Sequence, residues 1–222
     1  MFYECRFCHK LYKQESAFAK HYCEERRKND VAKTIIGQIA FSLYDRWLHK
    51  KYKREADLDM FKQSRFFNAF VKFADLYKKI NGLADVDEFF ALMIRKNIQP
   101  SNWVDDRIIR YYLDHIDSGT IQSKITRSCN TLIKIADAYD CDTSEVFNHI
   151  EFFIMMDFIK LRKLSPWVLL NSKAFMKWLS TISKEQQQII DNLIDPDKWV
   201  KIFSENRKYI SLSRSICTEL GI

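Results

Sequence analysis

Glycine and proline are nearly missing from this chain, 4 and 3 residues among 222. With so few turn-formers and helix-breakers, a hairpin-rich β architecture is excluded and long helices are favoured. The glycines stand far apart, so neither G-x-x-x-x-G-K nor G-x-G-x-x-G occurs, which excludes nucleotide hydrolysis on a glycine-rich phosphate loop. Also absent are G-x-S-x-G, H-E-x-x-H and H-x-E followed by C-x-x-C, the signatures of common hydrolases, metalloproteases and deaminases. No run approaches the roughly 18 uninterrupted apolar residues of a membrane span. The richest, 146–161, is broken by Asn148, His149, Glu151, Asp157 and Lys160. No basic, apolar N-terminal signal is seen, and Cys129, Cys141 and Cys217 show no paired spacing. The expectation is a soluble intracellular protein with reduced thiols, without a membrane partner or a small-molecule substrate, and not an enzyme.

What is present begins at the N-terminus, where Cys5, Cys8, His21 and Cys23 form C-x2-C-x12-H-x-C. Thiolates and imidazole at this spacing predict a closed tetrahedral Zn2+ site, structural because no coordination position is left for water or substrate. Tyr12 and Phe18 occupy the two apolar positions of a small ββα finger, and His21 follows Phe18 by one helical turn. So short a segment buries too little apolar surface to fold alone, and metal binding supplies about 10 kcal/mol in finger peptides. Residues two apart on a helix point to nearly opposite faces, so the helix must end or tighten at His21 for Cys23 to reach the same ion. Glu25, four residues after His21, and His9, beside Cys8, are rivals to Cys23, and thiolate is the stronger zinc ligand.

Beyond the finger, EERRKND reads as a charged hinge and 31–53 as a helix with Ile35, Ile39, Leu43 and Trp47 on one stripe, weakened only by Gly37. Ser64 is placed to cap a helix bearing Phe66, Phe70, Phe73 and Tyr77, which Asn81-Gly82 ends. Asp85 caps the next, through about Ile94. Helices are then expected over 105–115, 120–139 and 143–161, the last opened by Asp142 with Glu145 as a capping box. Ser165-Pro166, Ser183 with Gln186, and Asp195-Pro196 mark three more helix starts. Without repeats or Gly/Ser/Pro linkers, the chain reads as mainly α: a C2HC ββα-type zinc finger at 1–28, then one compact all-α helical domain at 31–222.

Several chemically suggestive residues have a plainer reading. Asp105, Asp106 and the segment around His115 are read as helix caps and solvated charge and not as a nuclease metal site. His49 and His149 are packed or surface histidines, and Met155, Met156 and the five tryptophans are core-forming.

The finger, followed by QSRFFNAFVKF and later by SPWVLL and IDPDKW, resembles a group of proteins encoded by T4-type tailed bacteriophages, along most of the chain. The resemblance implies a setting, the host bacterial cytoplasm during infection or association with the virion. It carries no activity and no functional residues.

Charge offers the remaining clue. The net charge is +7, from 36 Lys and Arg against 29 Asp and Glu, and RWLHKKYKR at 46–54 has five basic residues and no acid. Lysines and arginines release counterions from phosphates, so DNA or RNA is one candidate partner. The candidate surface is Arg6, Lys10, Lys13 and Lys20 on the finger, Arg26, Arg27 and Lys28 after it, and Lys50, Lys51, Lys53 and Arg54. Against this, residues 1–30 carry seven basic and five acidic side chains, and a lone finger reads about three base pairs, too few for specificity without help. The other candidate is a protein partner, with the finger as docking module and the helices as adaptor or particle-assembly factor.

Overall fold

The computed structural model describes residues 2–222. Strand β1 (Tyr3–Glu4) pairs antiparallel with β2 (Leu11–Tyr12), Tyr3 opposite Tyr12, and α1 (Glu15–Ala19) follows. This is the expected ββα finger. The rest of the described chain is helical: α2 (Glu24–Ala32), α3 (Ile35–Tyr52), α4 (Leu58–Gln63), α5 (Phe67–Lys79), α6 (Val86–Arg95), α7 (Asp106–Asp117), α8 (Ile121–Tyr139), α9 (Val146–His149), α10 (Phe152–Lys160), α11 (Pro166–Leu169), α12 (Lys173–Leu179), α13 (Lys184–Ile194), α14 (Pro196–Glu205) and α15 (Arg207–Glu219). Mainly α with an N-terminal finger is the fold class read from the sequence.

The chain divides into two compact units, one of Met1–Gly82 with Val86–Ile109, the other of Leu83–Asp85 with Arg110–Ile222. A boundary near residue 30 is therefore not where the packing separates. The finger shares a unit with the helices up to Ile109 because the supposed hinge is itself helix α2, whose N-cap is Cys23. Its sulfur accepts a hydrogen bond from the Arg26 N–H at 3.4 Å, Glu24 and Glu25 suit the first-turn dipole, and Glu24 pairs with Arg27 one turn on.

Between α2 and α3 the Thr34 hydroxyl donates to the Val31 carbonyl and accepts from the Gly37 N–H. A Cβ on Gly37 would lie 2.0 Å from the Val31 oxygen, so glycine is required for the close approach of the two helices. What the sequence presents as a weak point in α3 is the corner that sets the direction of α2.

The core of the first unit is aromatic. Trp103 is fully buried, with Phe70, Phe73, Phe89 and Phe90 at 5.3–5.4 Å between ring centroids and Trp47 at 6.2 Å. Its indole N–H is satisfied by the Ile98 carbonyl at 3.1 Å. Each such ring contributes about 1.5–3 kcal/mol by leaving water.

The second unit is built round α8, whose Ile125, Leu132 and Ile135 are buried among Val146, Phe147, Met155, Trp167 and Val168. Two buried hydroxyls tie it internally: Ser128 accepts from the Ser165 N–H at 2.7 Å, and Ser213 donates to the Trp167 carbonyl at 2.5 Å. The expected single helix over 143–161 is instead a short 3-10 turn, α9 and α10, with Ile150 extended at ψ 131° and no side-chain cap bond at Asp142. The break lets Val146, Phe147 and Ile150 as well as Met155, Met156 and Ile159 reach one core, which a straight helix would spread round its axis. Ser165, Ser183 and Asp195 cap helices as read, and Ser183 with Gln186 forms both bonds of a capping box; Ser64 instead ends α4, and α5 starts from Phe66 with no side-chain cap bond. No helix among the described residues is long and apolar enough to cross a membrane.

Candidate metal centre

The ββα turn sequence brings four ligand-type side chains to one point. Cys5 follows β1 and Cys8 lies three residues on, in a knuckle closed by the Cys5 N–H to Lys10 carbonyl bond at 3.0 Å and the His9 N–H to Cys5 carbonyl bond at 2.8 Å. His9 takes the left-handed conformation, φ 56°, that turns the chain back into β2. His21 follows α1 on a tightened turn, its N–H bonded to the Phe18 carbonyl at 3.0 Å, so the helix ends before it as the H-x-C spacing demands. Cys23 then starts α2 from an extended backbone.

The donor atoms of Cys5, Cys8, His21 and Cys23 all lie within 4.8 Å of one another. Cys5 Sγ is 3.8 Å from Cys23 Sγ, and Cys8 Sγ is 3.2 Å from His21 Nε2. Among the described residues this is the one His/Cys/Asp/Glu cluster with the geometry to hold a metal ion. The rivals stand outside it: His9 Nδ1 is exposed and 2.9 Å from the Glu4 carboxylate, and Glu25 is exposed on α2. Of the acids at 105–106, Asp106 lies in the first turn of α7, and Asp105 just before it accepts from the backbone and guanidinium of Arg107, which together hold its carboxyl down to about 2.

The surroundings tune the donors unequally. Backbone N–H groups of Cys8 and Phe7 aim at the Cys5 sulfur and bring its pKa down to about 6, favouring thiolate. Burial pushes the Cys23 thiol up to about 11, against the pull of the Arg26 N–H.

Tyr12, read from the sequence as an apolar filler, has a second role. Its hydroxyl lies 2.6 Å from His21 Nδ1 and so holds the ring with Nε2 turned toward the Cys8 sulfur. Burial, with the Cys8 sulfur next, raises the Tyr12 pKa and keeps the phenol protonated. The signal in the sequence was a phenol where phenylalanine would fill the same space. Tyr3 stacks on Phe18 at 5.8 Å and Tyr12 packs tilted against it at 6.1 Å, forming the small finger core.

The candidate nucleic-acid residues are dispersed over unit 1. Arg27 is engaged by Glu24 at 2.6 and 2.7 Å and by Asn68 at 2.7 Å, and Arg26 reaches the His21 carbonyl and Asp30. Arg6 and Lys28 line one shallow cavity of about 380 Å³ between the knuckle, α2 and α4. Lys10 lies over the Tyr12 ring and Lys51 over Trp47 and Tyr52. Lys13, Lys20, Lys53 and Arg54 are exposed and Lys50 is half-exposed; none of these five has a carboxylate partner among the described residues.

Fold and cluster together define a class: a helical protein bearing an N-terminal finger with a three-cysteine, one-histidine metal-ligand set. No protein-family model, curated protein or solved structure matches the chain, so its role must be argued from its own residues.

Proposed function

We propose that the cluster holds zinc and that the chain is a non-enzymatic zinc-finger accessory protein that binds DNA or RNA through its first unit. Three sulfurs and an imidazole are the donor set of structural zinc, and a tetrahedron with Zn–S of about 2.3 Å has sulfurs about 3.8 Å apart, the Cys5–Cys23 spacing. Bound zinc closes that shell and ties the hairpin to the start of α2.

The observation that carries the nucleic-acid reading is the partition of charge. Unit 1 holds 21 Lys and Arg against 14 Asp and Glu, a surplus of 7, while unit 2 holds 15 against 15. The whole net charge belongs to the unit with the finger. Folding does not need this asymmetry, since surface charge bears on partners and not on architecture. The finger helix has five residues and Glu15 in its first turn, which favours phosphate contact by the dispersed cations over reading of bases in a groove. The setting under this proposal is the bacterial cytoplasm during phage infection.

Fluorescence anisotropy with a labelled 30-base-pair DNA, and with RNA of the same sequence, tests it across 50–300 mM salt. Affinity falling steeply with salt is expected, together with a loss of tenfold or more when Lys50, Lys51, Lys53 and Arg54 are changed to Glu. No binding at 50 mM salt, or indifference to the four changes, removes the proposal.

A second reading has its own observation: Phe2, Leu11 and Tyr22 on or beside the finger are 56–61 % exposed, apolar surface suited to docking a protein. It predicts that Phe2→Ser with Leu11→Ser abolishes capture of a protein partner at unchanged metal content. Capture that survives both changes contradicts it.

A further inference from the structure

The second unit contains a cavity of about 500 Å³ for which the finger and the charge of unit 1 give no role. Its walls come from α7, α8, α10, α11, α13 and α14. Apolar side chains such as Ile121, Ile159, Leu193 and Ile202 form its floor and sides, and Trp167 and Trp199 stand in it with their rings perpendicular, 5.6 Å apart. Trp167 is buried, while Trp199 is only partly covered and is accessible from the cavity.

Four cations line the same space: Lys124, Arg127, Arg162 and Lys198. Two acids accompany them, and both are engaged. Asp117 accepts from Arg162 Nε at 2.5 Å, and Asp195 caps α14 by accepting from the Lys198 N–H at 3.2 Å. Arg127 spends its Nε–H on the Arg162 carbonyl at 2.9 Å and has no carboxylate partner among the described residues, nor has Lys124. Burial lowers the pKa of both, against the attraction of Asp117 and, for Arg127, also of Asp85, so each is kept partly out of water. With four cations against two acids, the lining carries a positive surplus that an anionic ligand would balance.

We propose that this cavity binds a nucleoside phosphate, with Lys124, Arg127 and Lys198 receiving the phosphate and Trp199 stacking on the base. The volume lies within the 300–1,000 Å³ usual for small-ligand sites, the cations match phosphate geometry and charge, and an indole face open to an apolar cleft suits a planar ring. The step is binding only; no bond is made or broken. It is independent of nucleic-acid binding by unit 1, since no residue is shared.

The probes are adenosine monophosphate, adenosine and inorganic phosphate, titrated calorimetrically into the full-length protein at low salt. Saturable binding of adenosine monophosphate is expected, with adenosine and phosphate each weaker by about tenfold or more, because each makes only half the contacts. Lys124→Gln, on a half-exposed position that tolerates the change, should weaken the nucleotide by about tenfold, the loss of one charge-assisted hydrogen bond, at unchanged circular dichroism. Trp199→Phe should retain most of the binding and Trp199→Ala lose it. Phosphate or adenosine binding as tightly as the nucleotide overturns the proposal. So does the absence of saturable binding, or a nucleotide affinity that Lys124→Gln and Trp199→Ala both leave unchanged.

Discussion

The two units reach a helical fold by different means, and the difference separates what folding requires from what it leaves free. Unit 1 packs aromatic rings round Trp103, joins a metal-ligand cluster to the first turn of α2 through Cys23, and carries the entire surplus of positive charge. Unit 2 has balanced charge, a mixed aliphatic and aromatic core, and five helices begun by Ser, Thr or Asp caps. A neutral unit that folds as completely as a basic one shows that the charge of unit 1 is not needed for architecture.

The comparison breaks most visibly at Trp103. Trp103→Ala leaves a cavity among four phenylalanines and should cost about 3–5 kcal/mol. Amide exchange is expected to lose protection through 58–109 while residues 121–219 keep theirs. Equal loss in both units would mean that they do not hold separate cores.

In unit 2 the sharpest test is pH. Lys163 is 3 % exposed, with Nζ 4.4 Å above the Phe158 ring, and burial brings its pKa from 10.5 down to about 8. Because the folded value is the lower, the unfolded chain binds more protons between these limits, and stability rises with pH from about 8 to about 10.5. The gain is about 3 kcal/mol at most. Urea denaturation at pH 7.5 and pH 10 should show the rise, and Lys163→Gln should remove it. A variant with the same pH profile as the parent contradicts the account of this lysine.

Smaller still is the effect expected at Tyr12. Tyr12→Phe keeps the finger core but deletes the hydroxyl beside His21 Nδ1, so metal affinity should fall by about 10–100-fold, with the helices of both units intact. Competition with a chromophoric chelator measures it. An unchanged affinity would reduce Tyr12 to the apolar role its position suggests.

What the sequence made legible was chemistry with fixed geometry. Ligand spacing gave Cys5, Cys8, His21 and Cys23, including the helix end at His21, and local cap signatures gave Ser165, Ser183 and Asp195. Helix α2 was hidden because 24–32 is polar on most faces and its cap is a cysteine, outside the usual Ser, Thr, Asp and Asn set. The break at Ile150 answers to tertiary burial, which no local pattern records. The division into units was hidden for a related reason: it falls inside α7, between Ile109 and Arg110, with no linker composition to mark it. Tyr12 beside His21 and the cation-lined cavity of unit 2 depend on residues distant in sequence, and only the folded chain joins them.

The central claim is that an ion held by Cys5, Cys8, His21 and Cys23 organises the finger and the first turn of α2. Elemental analysis of the purified chain, paired with amide exchange over 3–32 before and after chelation, measures it directly. One zinc per chain is expected, lost in the Cys5→Ala, Cys23→Ala double variant, with protection of 24–28 disappearing as the metal is removed. Absence of stoichiometric metal, or a double variant that retains it, would contradict the account.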